Sequence, residues 1–288
     1  MKTAAMLAIA ALSAIAQPYP APGKLVDAGG YRVHLYCTGA AGPPVIIAGA
    51  GGSFDWALVQ PEVAKFARVC TWDRSGTAWS DSGPLPSCAQ RAGELHTVLD
   101  RADVGGPYVM VGLSVGAIVA RIYATRHPNE VAGMVMIDHA FGSNTPAPAP
   151  RASEDYDSPP VLLSQAPIVL DRVEDSSAFQ RLPPRDRQMH RWAAVQTESE
   201  ERRKATLGCL AEAPVFFLGS RPLIVVSQTN GGADYMAFQS TLAALSANSR
   251  QMIAENSGHS IEIERPDVVV SAIRQVVEAV RKKTRFAR

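Results

Sequence analysis

Residues 108–128, YVMVGLSVGAIVARIYATRHP, decide how this chain is read. Tyr-Val-Met-Val is an apolar run of strand type. It stops at Gly-Leu-Ser-Val-Gly, residues 112–116, and the residues that follow have helical periodicity. A serine on a sharp strand-to-helix turn sits in a strained backbone that lifts its oxygen clear of the sheet, and flanking glycines relieve the crowding that side chains would cause. The five-residue pattern is short. Its place after Val-Met-Val and before Ala117–Arg126 gives it weight and makes Ser114 the candidate nucleophile.

An attacking serine needs hydrogen-bond donors where an oxyanion develops. Two sources are visible: the backbone N–H of Val115, and the glycine-rich turn of VIIAGAGGSFDW, residues 45–56. The latter is not a dinucleotide loop, because the third glycine of that fingerprint is replaced by Phe54. The serine also needs a base. His259, in ENSGHSIEIERPD, follows the last predicted strand and precedes a helix opened by Pro266, where a loop can carry it over the sheet edge. His34 alternates within a strand, His96 and His127 fall in helical stretches, and His190 lies in a charged segment; these are read as structural. For the acid that orients the base two candidates stand. Asp138 ends the strand GMVMID, 24 residues after Ser114, and Asp234 follows the next strand in SQTNGGAD.

Working outward, strands are expected at 24–27, 31–37, 44–48, 68–72, 108–111, 133–137, 223–227 and 250–255, alternating with helical stretches. That rhythm predicts an α/β fold, a mostly parallel sheet with helices on both faces. Ala-Gly-Gly at 28–30 joins the first two strands as an antiparallel hairpin. Residues 142–219 interrupt the rhythm with TPAPAP at 145–150 and charged helical stretches around 170–181 and 185–205. They read as a helical lid between the sixth and seventh strands. Phe179, Met189 and Trp192 could line a pocket there, although apolar residues in helices are more often core.

The chain has 288 residues, 47% of them hydrophobic, and 28 Lys plus Arg against 27 Asp plus Glu. A net charge of +1 offers no electrostatic footprint for nucleic acid or an anionic membrane, so a small-molecule partner is expected. Lys2, the apolar stretch Ala4–Ala16 and the small-x-small site Ala14-Ile15-Ala16 read as a secretory signal peptide, residues 1–16, cleaved after Ala16. Thirteen apolar residues are too few to span a bilayer. The expectation is a secreted or periplasmic protein without a stable membrane anchor. Cys37, Cys70, Cys88 and Cys209 lack metal-type spacing, and in an oxidising compartment they allow two disulfides in three connectivities.

Taken in order, GAGGSFDW, CTWDRSGTAWSD, GLSVG, GMVMIDHA, the lid, PLIVV and SGHSIEIERPD resemble the α/β-hydrolase superfamily from Lys24 to Val280. The resemblance implies eight strands, the first antiparallel, a core of residues 17–141 and 220–288, and an oxyanion hole formed by the N–H groups of Ala50 and Val115. It also implies neighbouring second and fourth strands, hence Cys37 with Cys70, leaving Cys88 with Cys209 as the weaker pair. The usual His of the oxyanion turn is Ala48, the residue before the nucleophile is Leu113, and the compact G-x-x-D turn is missing after PLIVV. Some members take their acid from the end of the sixth strand, which favours Asp138 over Asp234. Dehalogenases and epoxide hydrolases of the superfamily attack with Asp, whereas Ser114 suits acyl transfer. The expected activity is hydrolysis of a carboxylic ester, lactone or related acyl bond through Ser114, His259 and Asp138, with no metal or organic cofactor. The alternatives are an acyltransferase or peptidase with the same triad, or a catalytically silent binding protein of this fold.

Overall fold

A computed structural model describes residues 19–49, 51–84, 87–139, 177–197, 205, 208–212 and 217–286. The expected signal peptide, Ala50 and residues 142–176, 198–204, 206–207 and 213–216 of the expected lid lie outside the described residues.

The eight strands are β1 (Lys24–Asp27), β2 (Arg32–Thr38), β3 (Val45–Ala48), β4 (Val69–Asp73), β5 (Tyr108–Leu113), β6 (Val131–Ile137), β7 (Leu223–Gln228) and β8 (Ser249–Ala254). They form one sheet in the order β1-β2-β4-β3-β5-β6-β7-β8. From β4 onward through the sheet every pairing is parallel. The strand that opposes the rest is β2, antiparallel to both β1 and β4. This corrects the expectation that the first strand is the reversed one. The hairpin at Gly29 and Gly30, both with φ near +100°, turns the chain straight back, so β1 runs with the parallel strands and β2 against them.

The central strands are apolar at every position because both faces of the sheet are covered. Val45 and Ile47, Val109 and Val111, Val135 and Ile137, and Ile224 and Val226 face one core layer. On that side lie α1 (Gln60–Ala64) and α7 (Pro266–Lys282). The alternate residues Ile46, Met110, Met134, Met136 and Val225 face the other layer. There they meet α2 (Cys88–Arg101), α3 (Val115–Arg126) and α5 (Gly232–Leu242). In α7 the pairs Val268–Val269, Ala272–Ile273 and Val276–Val277 recur every fourth residue, which builds one buried stripe. Ser87 caps α2, its hydroxyl accepting from the Gln90 N–H at 3.1 Å. Among the described residues no helix is long and apolar enough to cross a membrane.

Two disulfides are present. Cys37 and Cys70 are direct cross-strand partners in the β2–β4 register. Cys88 at the start of α2 joins Cys209, in the segment between β6 and β7. Beside it the Ala89 N–H donates to Glu212 Oε2 at 2.7 Å.

Of that segment the structure describes a 3₁₀ turn, Ser177–Arg181, and α4 (Pro184–Thr197). Met189 and Ala193 of α4 pack on Phe54, Ala78 and Trp79, above the loops that follow β3 and β4. Phe179 and Leu182 pack on Ile263, in the short helix α6 (Ile261–Glu264) that precedes α7. Phe179 is therefore a buried core residue, the plainer of its two readings, whereas Met189, also largely buried, lines a cavity as well.

Candidate active site

Ser114 joins β5 to α3 with φ 54° and ψ −124°, a conformation sparsely populated for any residue with a side chain. Its two flanking glycines are there for close approach. A Cβ on Gly112 would lie 2.5 Å from Ala117 Cα, and one on Gly116 would lie 1.6 Å from the carbonyl oxygen of Ala48. The first turn of α3 thus rests directly on the end of β3. Gly116→Ala is expected to destabilise the fold by about 3 kcal/mol or more, since backbone on both sides must move. A shift in the urea midpoint measures this, and a parent-like midpoint would refute the tight contact.

That contact brings Val115, the first residue of α3, beside the turn after β3. The first N–H groups of a helix have no intrahelical acceptor, so they are available to an anion. The turn itself is tied down on three sides. Arg74 Nη1 donates to the Gly51 carbonyl at 2.7 Å, the Gly52 N–H to Asp55 Oδ2 at 3.0 Å, and the Ser53 N–H to Asp73 Oδ1 at 2.6 Å.

Asp138 ends β6 next to Ser114: the Ser114 N–H donates to Ile137 O at 2.9 Å, and the Asp138 N–H to Val226 O at 2.7 Å. The carboxylate is buried, and its Oδ2 lies 2.5 Å from His259 Nδ1. A carboxylate only accepts, so Nδ1 carries a proton, and in the neutral ring Nε2 holds the lone pair. His259 sits five residues beyond β8. Its loop is fixed by the Ser257 hydroxyl on Ala254 O at 2.7 Å and the Gly258 N–H on Glu264 Oε2 at 2.6 Å. Ser114 and His259 are in this way both bonded to the two-residue stretch Ile137-Asp138. Asp234 is elsewhere. It lies exposed in the first turn of α5, and the adjacent residue turned inward is Tyr235.

Tyr235 is a participant that the sequence reading missed. Its hydroxyl donates to Asp138 Oδ1, and Gln228 Nε2 donates to Oδ2 at 3.1 Å. Burial, reinforced by the Asp138 charge, pushes the phenol far above its ordinary range and keeps it a donor. The clue was within SQTNGGADY, where one step along a helix, about 100° of rotation, separates an outward acid from an inward phenol.

Two further carboxyls lie nearby. Glu262, three residues after His259, is buried, and desolvation followed by the charge of Asp55 pushes it well above the usual range. Asp55 is raised by desolvation too, with His190 opposing the rise from 3.3 Å.

The remaining histidines have other duties. His34 and Asp73, both fully buried, bond through Nδ1 at 2.7 Å, and the Gly23 N–H donates to His34 Nε2 at 3.1 Å, leaving that ring no lone pair for chemistry. Arg121, buried in α3 with its pKa pushed down by burial to about 10, donates to His139 Nε2 at 3.0 Å. A cavity of about 510 Å³ under α4 is lined by Tyr36, Phe54, Gln60, Trp79 and Met189, and its lining includes neither Ser114 nor His259.

Residues 45–272 match the model of the Alpha/beta hydrolase family. The chain belongs to that family. This alpha/beta hydrolase is 42% identical over 81 residues to an uncharacterised protein of Schizosaccharomyces pombe, a match covering 28% of this chain and 15% of the relative. It is 32% identical over 133 residues to a 2-hydroxymuconate semialdehyde hydrolase of Pseudomonas sp. strain CF600, covering 43% of this chain and 46% of the relative. The chain therefore spans less than half the length of both curated relatives. Among solved structures, an esterase from Thermogutta terrifontis superposes with a TM-score of 0.64 at 20% identity, covering 87% of this chain and 94% of the esterase. That likeness is one of fold.

Proposed function

We propose that this alpha/beta hydrolase is an exported serine hydrolase that cleaves a carboxylic ester, lactone or related acyl bond. The observation that carries the reading is the 2.5 Å bond between His259 Nδ1 and buried Asp138, formed on the same β6 terminus to which the Ser114 backbone is bonded. It presents Nε2 in the state able to take a proton from a serine hydroxyl.

In this mechanism Ser114 Oγ attacks the acyl carbon while its proton passes to His259 Nε2, and the carbonyl oxygen becomes an oxyanion received by the N–H groups of Val115 and Ala50. Asp138 stabilises the imidazolium without taking its proton. The tetrahedral adduct expels the alcohol, protonated by His259, and leaves an acyl-Ser114. Water, deprotonated by the same Nε2, then releases the acid and restores the serine. Gln228 and Tyr235 hold the carboxylate in place.

Support for the acyl substrate class comes from Ser114 occupying the elbow, and support for a hydrolase from the partial relative named as a semialdehyde hydrolase. Export is supported by the apolar leader and by the two disulfides. Residues 142–219 are assigned as a lid because α4 covers the loops beyond β3 and β4. The test is labelling with a fluorophosphonate. Intact protein should take up one equivalent on the peptide containing Ser114, together with loss of ester hydrolysis. Folded protein that stays unlabelled while an amide or thioester probe does label would overturn the ester reading. Complete failure to label would favour a silent binding protein.

A further inference from the structure

At the end of the fold away from Ser114, three side chains from three elements converge. His96 lies in the second half of α2, His127 caps the C-terminus of α3, and Glu130 closes the 3₁₀ turn Pro128–Glu130 before β6. The two imidazole rings stack, centroids 3.8 Å apart and planes 6° from parallel. Both address one carboxylate oxygen: His96 Nε2 lies 3.3 Å and His127 Nδ1 3.8 Å from Glu130 Oε1. The other oxygen, Oε2, accepts the hydroxyl of buried Tyr123 at 2.5 Å, which fixes the carboxylate's orientation. A cleft of about 260 Å³ opens beside them, lined by His96 and Glu130 and also by Asp100 and Asp103.

We propose that His96, His127 and Glu130 form a binding site for one borderline divalent cation of the Zn²⁺ type. Two imidazole nitrogens and one carboxylate oxygen are a donor set for Zn²⁺, Ni²⁺ or Cu²⁺, whereas Ca²⁺ and Mg²⁺ call for oxygen alone. The three donor atoms lie within 4.8 Å of one another. In a tetrahedral site with bonds of about 2.1 Å they would stand about 3.4 Å apart, so closure requires only side-chain rotation. Solvent reaches both rings, His96 being about one third and His127 about one quarter exposed. Water from the cleft supplies the fourth position, and Asp100 and Asp103 add negative charge around it.

The twelve residues of α3 put this site about 18 Å from Ser114, so the cation ties α2 to the α3–β6 junction and takes no part in the acyl chemistry. The proposal is independent of the hydrolase reading. To test it, the full chain is stripped with a chelator, dialysed, and titrated with Zn²⁺ at pH 7.5 against a chromophoric competitor. One equivalent should bind with a Kd below about 10 µM. His96→Ala and His127→Ala should each weaken binding by about tenfold or more. At equal Zn²⁺ the melting temperature of the parent should rise by more than that of either variant, with ester turnover unaltered by the metal. A second measurement avoids mutation: Zn²⁺ should shield His96 and His127 from diethylpyrocarbonate. No binding in the micromolar range, parent-like binding by both variants, or unshielded rings would each overturn the proposal.

Discussion

Replacement of Ser114 by alanine is expected to lower kcat for a p-nitrophenyl short-chain ester by on the order of 10⁶-fold, with the circular dichroism spectrum unchanged. The magnitude follows from the unit character of the proposed triad. Without Oγ, His259 has no proton to take, Asp138 has no imidazolium to stabilise, and only the oxyanion donors and substrate binding remain. The fold should survive, because the structural contacts of residue 114 are made by its backbone: its N–H bonds to Ile137 O, and its carbonyl receives the Ala117 N–H at 3.0 Å. A folded Ser114→Ala protein that retained even a hundredth of parent turnover would remove this residue from the mechanism.

Asp138→Asn should cost up to about 10⁴ in kcat, and Asp234→Asn should leave turnover at the parent value. The first effect is one of tautomer. Asp138 accepts from three donors, His259 Nδ1, Gln228 Nε2 and the Tyr235 hydroxyl, so an Asn amide must set its NH₂ group against at least one of them. When that NH₂ faces His259, Nδ1 becomes the acceptor, the proton moves to Nε2, and the ring can no longer take a proton from serine. Asp234 has no part in this arrangement because helix α5 turns it to solvent. If Asp234→Asn proved the crippled variant and Asp138→Asn the active one, the assignment of the acid would be reversed.

Much of the architecture could be read from the chain because local and global preferences agree in it. The apolar runs at β3, β5, β6 and β7 have no polar alternation, and each proved to be sandwiched between two helical layers. The Ser114 elbow was legible for the same reason: strand, turn chemistry and helix follow one another within twenty residues. What the sequence hid lies in long-range pairings. Gln228 and Asp138 are 90 positions apart, Tyr235 and Asp138 97, and His96 and Glu130 34. No periodicity links such pairs; only the stacking order of strands does. The direction of β2 escaped similarly, since a hairpin signal shows that two strands are opposed without showing which of them opposes the sheet. His96 and His127 were read as structural because they fall in helical stretches, and nothing in their 31-residue separation suggests face-to-face rings.

Six described residues other than glycine have positive φ, and Ser114 and Asp138 are two of them. Each such backbone costs on the order of 1–3 kcal/mol, and glycine would relieve it. The molecule is consequently at odds with itself at these two codons. In a laboratory lineage propagated for heat endurance alone, with no demand on turnover, position 114 is where drift toward glycine would be rewarded, whereas at 138 the three hydrogen bonds accepted by the carboxylate would hold the aspartate in place.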